Sequence, residues 1–200
     1  MKIIKTENLD FEKLIFSLNE GKTFVYPTET CYGLGGDALN QETVQNIFEI
    51  KKRQKDKNLL ILISDLSMII DFIEWNPKLE SLAEKYWPGP LTIVTKVKKD
   101  IFPEGVVAKD RTIAFRISKH PLVVEILKRL NRPIISTSAN ISSKKNPYSI
   151  LEIEKTFEKE NQKPDIIIDD GELVFHNPST IIKVEKDKVM ILRQGELIVK

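Results

Sequence analysis

The sequence predicts an α/β fold built around a mixed sheet. Strand-like runs are interleaved with helix-like segments early in the chain, one run is continuously apolar as a buried strand would be, and the C-terminal end reads as a hairpin. No internal repeat and no linker interrupts residues 1–200, so a single domain is expected.

Residues 9–20, LDFEKLIFSLNE, place Leu9, Phe11, Leu14, Ile15 and Leu18 near one helical face, and Gly21 suits a left-handed stop. A short strand, TFVYP, follows. TETCYGLGGDA then breaks all periodicity with three glycines and reads as a loop whose backbone turns tightly or approaches a ligand. Asn40 can cap a second helix in which Val44, Ile47, Phe48 and the stem of Lys51 share a face. The basic run KKRQKDK, residues 51–57, sits at that helix's C-terminal end, where the helix dipole attracts cations.

NLLILIS reads as a buried strand, and Asp65 as the cap of a helix LSMIIDFIEW. A further helix opens at Asn76 with Pro77 in its first turn and is stopped by WPGP. LTIVTKV and RTIAFRI are strands by their β-branched content, joined by a loop over 98–110. Pro121 opens the helix LVVEILKRLN, and RPIIS is another short buried strand. TSANISSKKNPY is polar and turn-rich, a charged helix lies near 149–160, and STIIKVEKDKVMILRQG reads as two strands around a turn at Lys186 and Asp187.

Composition narrows the function classes. The 31 basic and 29 acidic side chains leave a net charge of +2, so any anion site must be local. A lone cysteine, Cys31, excludes an intrachain disulfide and a thiolate zinc cluster, which favours the cytoplasm. Two histidines, His120 and His176, make histidine metal sites and Cys/His nucleophile pairs poor prospects. His120, before a proline at a helix start, reads as a structural cap or a surface residue. The N-terminus has neither the apolar centre of a signal peptide nor room for a membrane span, so a soluble protein is expected.

Several local patterns bear on chemistry. In RTIAFRI, alternation puts Thr112, Ala114 and Arg116 on one face and Ile113, Phe115 and Ile117 on the other. Arg116 therefore points to a cleft, where its planar fork suits a carboxylate or phosphate, or to solvent as an ordinary edge-strand arginine. STSAN, residues 136–140, offers three hydroxyls and an amide after a buried strand, where α/β sheets place ligands; an ordinary polar turn has the same composition. The loop YGLGGD lacks the spacing of a dinucleotide or P-loop fingerprint. NPST, Arg193 and Gly195 add a hydroxyl and a cation. Hydroxyls, glycine loops and fixed cations, without an evident nucleophile or metal cage, suit phosphoryl or nucleotidyl transfer, in which the protein positions reagents and neutralises charge.

YPTETCYGLGGDA, IFEIKKRQKDKNLLILI, WPGPLTIV, TIAFRISKHP, STSANIS, PSTII and ILRQG occur in an order that resembles the YrdC/Sua5 family of threonylcarbamoyl-AMP synthases, from about residue 10 to 196. The length resembles the short single-domain bacterial form. The resemblance implies a twisted open mixed α/β sheet with flanking helices and a positively charged concave face. It also implies an ATP-dependent nucleotidyltransferase that makes threonylcarbamoyl-AMP and pyrophosphate from L-threonine and bicarbonate or CO2, with Mg2+ accompanying ATP. The product would serve a separate tRNA threonylcarbamoyl transferase complex acting on adenosine 37 of tRNA.

Carried over residue by residue, the threonine site falls on Thr30, Arg116, Ser136 and Ser179. The nucleotide site falls on Arg53, Lys57, Thr112, Ser138, Asn140, Asn146 and Arg193. Lys51 and Arg53 form the family's KxR pair, expected to offset phosphate charge during catalysis, and Ser138 and Asn140 form its SxN pair. The chain departs from the family in three respects: Gln54 and Asn58 stand where many members have proline, Leu62 replaces a histidine that touches threonine in some members, and Lys57 replaces a frequent asparagine. Two other readings share the pattern. One is an RNA-binding module tracking phosphates, with Tyr32, Tyr86, Trp87 or Tyr148 stacking bases. The other is the carbamoyl-transfer module of hydrogenase maturation, against which stands the absence of its neighbouring zinc-finger and acylphosphatase modules in this sequence.

Overall fold

Local signals start the helices where the sequence places them. In the computed structural model, which describes residues 1–185 and 188–199, Asp10 accepts the Lys13 N–H to open α1 (Phe11–Asn19). Asn40 accepts the Thr43 N–H to open α2 (Gln41–Lys51). Asn76 does the same for α3 (Pro77–Tyr86), Pro121 begins α4 (Pro121–Leu130), and Ser149 with Glu152 forms a reciprocal capping box on α5 (Ile150–Phe157). Gly21 lies after α1 at φ +76, the left-handed conformation expected of it.

The strands are β1 (Lys2–Lys5), β2 (Phe24–Tyr26), β3 (Gly33–Gly35), β4 (Leu60–Leu62), β5 (Leu91–Lys96), β6 (Thr112–Arg116), β7 (Ile134–Ser138), β8 (Ile166–Asp169), β9 (Thr180–Glu185) and β10 (Lys188–Arg193). Among the described residues they form one ten-stranded sheet in the order β1-β8-β2-β3-β7-β4-β6-β5-β9-β10. It is mixed as expected: β8 runs parallel to β1 and β2, β4 to β6 and β5 to β9, while the other neighbours are antiparallel. The predicted turn at Lys186 and Asp187 lies outside the described residues.

Side-chain alternation sends each strand's residues to two cores. Val25, Leu34, Ile61, Ile113, Phe115, Ile135, Ile167 and Ile182 pack beneath α2, α3 and α5. Phe24, Tyr26, Leu62, Ile134, Ile166 and Ile168 pack with Leu14 and Leu18 of α1 and with Leu122, Val123, Ile126, Leu127 and Leu130 of α4.

Four elements differ from expectation. The glycine-rich segment is a strand over Gly33–Gly35, not a loop, because a Cβ on Gly35 would lie 2.0 Å from the Ile135 carbonyl: the close approach is to backbone of β7 and to the Tyr26 ring. LSMIIDFIEW forms two short 3-10 turns, Leu66–Met68 and Ile70–Phe72, with Asp65 capping the first. Strands β1 and β8 have no counterpart in the sequence reading; each is four residues long and depends on distant partners.

Candidate active site

Helices α1 and α4 cover only part of their face of the sheet. Leu62 pairs in register with Ile134 and Arg116, and Leu60 with Ser136, so Leu60, Ser136 and Arg116 continue the same face. There a cavity of ≈ 290 Å³ opens. Thr28, Thr30, Cys31 and Gly33 form one wall, Leu60, Ala114, Arg116 and Ser136 the strand floor, Arg53, Asn58, Ser138 and Asn146 another side, and Pro178, Ser179, Ile181 and Arg193 the side towards the hairpin. Among the described residues no carboxylate or imidazole belongs to the lining, and three arginines do.

Of the residues named from the sequence, Thr30, Arg53, Arg116, Ser136, Ser138, Asn146, Ser179 and Arg193 meet at this cavity; Lys51, Lys57, Thr112 and Asn140 do not line it. The Arg53 guanidinium is fixed by two carbonyls, donating from Nε to Lys57 O at 2.6 Å and from Nη2 to Asn58 O at 2.9 Å. Lys57 enters the site by its carbonyl while its side chain is exposed. Thr112 turns its hydroxyl to Asp110 Oδ1 at 2.7 Å. Burial holds the Arg53 and Arg193 pKa values below the usual range, and repulsion from Arg116 adds to the effect at Arg193.

Lys51 lies behind the wall. It is 1% exposed, and its Nζ donates to the carbonyl of Ser138, to the carbonyl of Asn140 at 2.9 Å and to Asn140 Oδ1 at 2.8 Å. Asn140 Oδ1 also accepts the Ser138 hydroxyl at 2.7 Å, and its Nδ2 donates to the carbonyls of Lys144 and Lys145. The KxR and SxN pairs thus interlock: Lys51 and Asn140 shape the segment, while Arg53 and Ser138 present it to the cavity. Burial, and then repulsion from Arg53, push the Lys51 ammonium down to about 7.

Arg116 is 3% exposed, and alternation places Ile113 and Phe115 in the opposite core, which resolves the cleft-or-solvent choice in favour of the cleft. Sequence reasoning missed its partner: Glu29 Oε1 lies 3.0 Å from Arg116 Nη1. The only hint is an acid between two threonines in PTET. Cys31, with its thiol pushed up to about 11 chiefly by burial, is a poor nucleophile.

Leu62 is fully buried in the core under α1 and α4 and does not line the cavity. Its departure from histidine therefore changes core packing, not the wall, contrary to the expected loss of a contact to threonine. His120 makes no capping bond; it is part-buried with Nε2 3.7 Å from Asp170 Oδ2. The aromatic residues proposed for stacking RNA bases are largely committed elsewhere. Tyr32 is fully buried with its hydroxyl on Gly171 O, and Trp87 packs on Trp75 and Phe115 and donates to Leu91 O.

Among the described residues no helix is long and apolar enough to cross a membrane, and no group of three or more His, Cys, Asp or Glu side chains could hold a metal.

The Sua5/YciO/YrdC family model, described as telomere recombination, matches residues 17–195. A Methanocaldococcus jannaschii protein is 38% identical across 97% of this chain and 93% of its own length. A Bacillus subtilis protein named threonylcarbamoyl-AMP synthase is 33% identical across 89% of the chain, which spans about half of that relative, 51%. Pyrococcus abyssi Sua5, whose crystal structure was solved complexed with L-threonine, superposes with a TM-score of 0.86 at 34% identity, covering 98% of this chain and 58% of that one.

Proposed function

The chain belongs to the Sua5/YciO/YrdC family, and from that membership we propose that it is a threonylcarbamoyl-AMP synthase, a nucleotidyltransferase consuming L-threonine, bicarbonate and ATP. The observation that carries this reading is the cavity itself, with three arginines and a ring of hydroxyls facing a space that no carboxylate lines among the described residues. Such a lining attracts two anionic reagents; among the described residues it offers no carboxylate or imidazole base, and its one thiol, Cys31, is a poor nucleophile, so the reagents react with one another.

In this reading Arg116 takes the α-carboxylate of threonine, with the Thr30, Ser136 and Ser179 hydroxyls around it. Arg53 and Arg193 meet the triphosphate, assisted by Ser138 and Asn146. The threonine amine combines with bicarbonate, losing water, to give N-carboxy-threonine. Its new carboxylate oxygen attacks the α-phosphorus of ATP; the bond from that phosphorus to the bridging oxygen of the β-phosphate breaks, and pyrophosphate departs. Fixed cations lower the repulsion between the two anions as they approach.

Among the described residues the lining supplies no carboxylate to hold a resident Mg2+, so in this reading the ion enters with the substrate as MgATP. The product, threonylcarbamoyl-AMP, passes to the tRNA threonylcarbamoyl transferase complex that modifies adenosine 37. The test is incubation with ATP, Mg2+, labelled bicarbonate and, separately, threonine, serine or glycine. Label in a threonyl adenylate, with matching pyrophosphate, is expected; salt-dependent RNA binding without any ATP turnover would instead favour the RNA-module reading.

A further inference from the structure

We propose that Glu29 is a positioning and specificity-determining residue: it aims Arg116 and reserves that arginine for the amino acid's carboxylate, keeping the triphosphate at the other arginines. The inference rests on the threonine and ATP reading above.

The three arginines of the cavity are held in two different ways. Arg53 is fixed by the carbonyls of Lys57 and Asn58, and Arg193 by the carbonyl and hydroxyl of Ser179. These hydrogen-bond partners are neutral, although Asp56 acts on Arg53 through space. Among the described residues Arg116 alone of the three is ion-paired to a carboxylate, Glu29, which does not line the cavity and whose side chain is 7% exposed. A paired cation presents a weaker field than a bare one at the same distance. A polyanion such as the triphosphate is drawn to Arg53 and Arg193, while Arg116 still offers directional donors to a monoanion.

The aim of Arg116 is fixed by a chain of contacts. Glu29 Oε2 accepts the Ser118 hydroxyl, and the Ser118 oxygen accepts the His120 N–H at 3.2 Å, which ties the carboxylate to the entrance of α4. Glu29 Oε1 lies 3.0 Å from Arg116 Nη1 as an ion pair that is not aligned as a hydrogen bond, and because the guanidinium is planar and turns as a unit, this charge contact restrains where its N–H groups point. Arg116 Nε and Nη1 are both buried with no hydrogen-bond partner among the described residues, so two donors of the guanidinium await an acceptor. An incoming carboxylate is the group whose geometry meets that need.

The test compares wild type with Glu29→Gln and Ser118→Ala by three readouts: threonine titration, ATP titration, and the Arg116 Nε–H NMR signal of the ligand-free protein, assigned through its loss in Arg116→Lys. In Glu29→Gln, threonine affinity should fall about tenfold or more while ATP affinity holds within about twofold, and excess ATP should compete with threonine as it does not in wild type. The Nε–H signal should broaden or shift. Ser118→Ala, which keeps the ion pair, should show the same pattern at about threefold and remains informative if Glu29→Gln fails to fold. An unchanged Nε–H signal in these variants, or threonine and ATP affinities falling together, overturns the proposal. A wild type that binds no threonine, with an Nε–H signal that still collapses in Glu29→Gln, overturns the substrate reading and leaves the positioning of Arg116 by Glu29 standing.

Discussion

Arg193 closes its fork on Ser179: Nε and Nη2 donate to the Ser179 carbonyl at 3.0 and 2.7 Å, and Nη2 also reaches the Ser179 hydroxyl at 3.0 Å. That hydroxyl is shared with Thr92 Oγ1 at 2.8 Å. A residue assigned to the nucleotide and one assigned to threonine are therefore a single mechanical unit.

Gly195 guards this unit. A Cβ there would lie 2.1 Å from the Pro178 carbonyl and 2.6 Å from the Ser179 backbone, so Gly195→Ala must displace one cavity wall. Steady-state kinetics should show KM rising for both threonine and ATP by roughly tenfold, in keeping with the sensitivity of catalysis to small misplacements. Unchanged KM values would show that the wall tolerates the shift.

Arg53→Ala removes a fixed cation that lines the cavity while leaving both core clusters intact. Threonine-dependent pyrophosphate release should drop by about 10²–10³-fold, the usual scale for losing one preorganised charge-stabilising donor group. Thermal unfolding should move little, because the two carbonyls it leaves belong to a part-exposed segment.

Lys51→Ala should behave differently, losing stability as well as activity. It strands three acceptors on Ser138 and Asn140, and denaturant titration should register a loss of roughly 3 kcal/mol.

Wild-type stability should also carry a pH signature of Lys51. Its folded-state pKa of about 7 lies below the unfolded value of about 10.4, so the unfolded chain binds more protons between those limits. The contribution of this site therefore becomes more favourable as pH climbs from about 7 towards 10, and its penalty is greatest below 7. Comparing wild type with Lys51→Met across that window should show the steeper rise in wild type.

Leu62→His restores the residue that some family members carry, yet it should not tighten threonine binding. The position is sealed beneath α1 and α4, and an imidazole there should cost roughly 2–3 kcal/mol of stability through an unpaired polar group and lost apolar packing. Calorimetry with threonine that showed a gain would mean that the wall reaches further than the cavity described.

Local rules made much of the architecture legible. Asn40, Asn76 and Pro121 mark helix starts by chemistry that acts within four residues, and alternation in TIAFR already separates Arg116 from Phe115. What stayed hidden depends on contacts between distant segments. The short apolar run at Ile166–Asp169 becomes a strand only because β1 and β2 flank it. The glycines at 33–35 look like loop until β7 is brought against them. Glu29 meets Arg116 across 87 positions of chain, since 116 − 29 = 87, and Lys51 finds Asn140 across 89. Spacing within a motif carries no information about such pairs.

One sheet face serves as oily core at Leu62 and Ile134 and as reagent surface at Arg116 and Ser136, with only register separating the two uses. A slip of β6 by one residue would drive a guanidinium into hydrocarbon and turn Phe115 out to the open. Misfolded chains of this protein are thus barred from retaining a working pocket, and selection for the reaction acts at the same time as proofreading of the strand pairing.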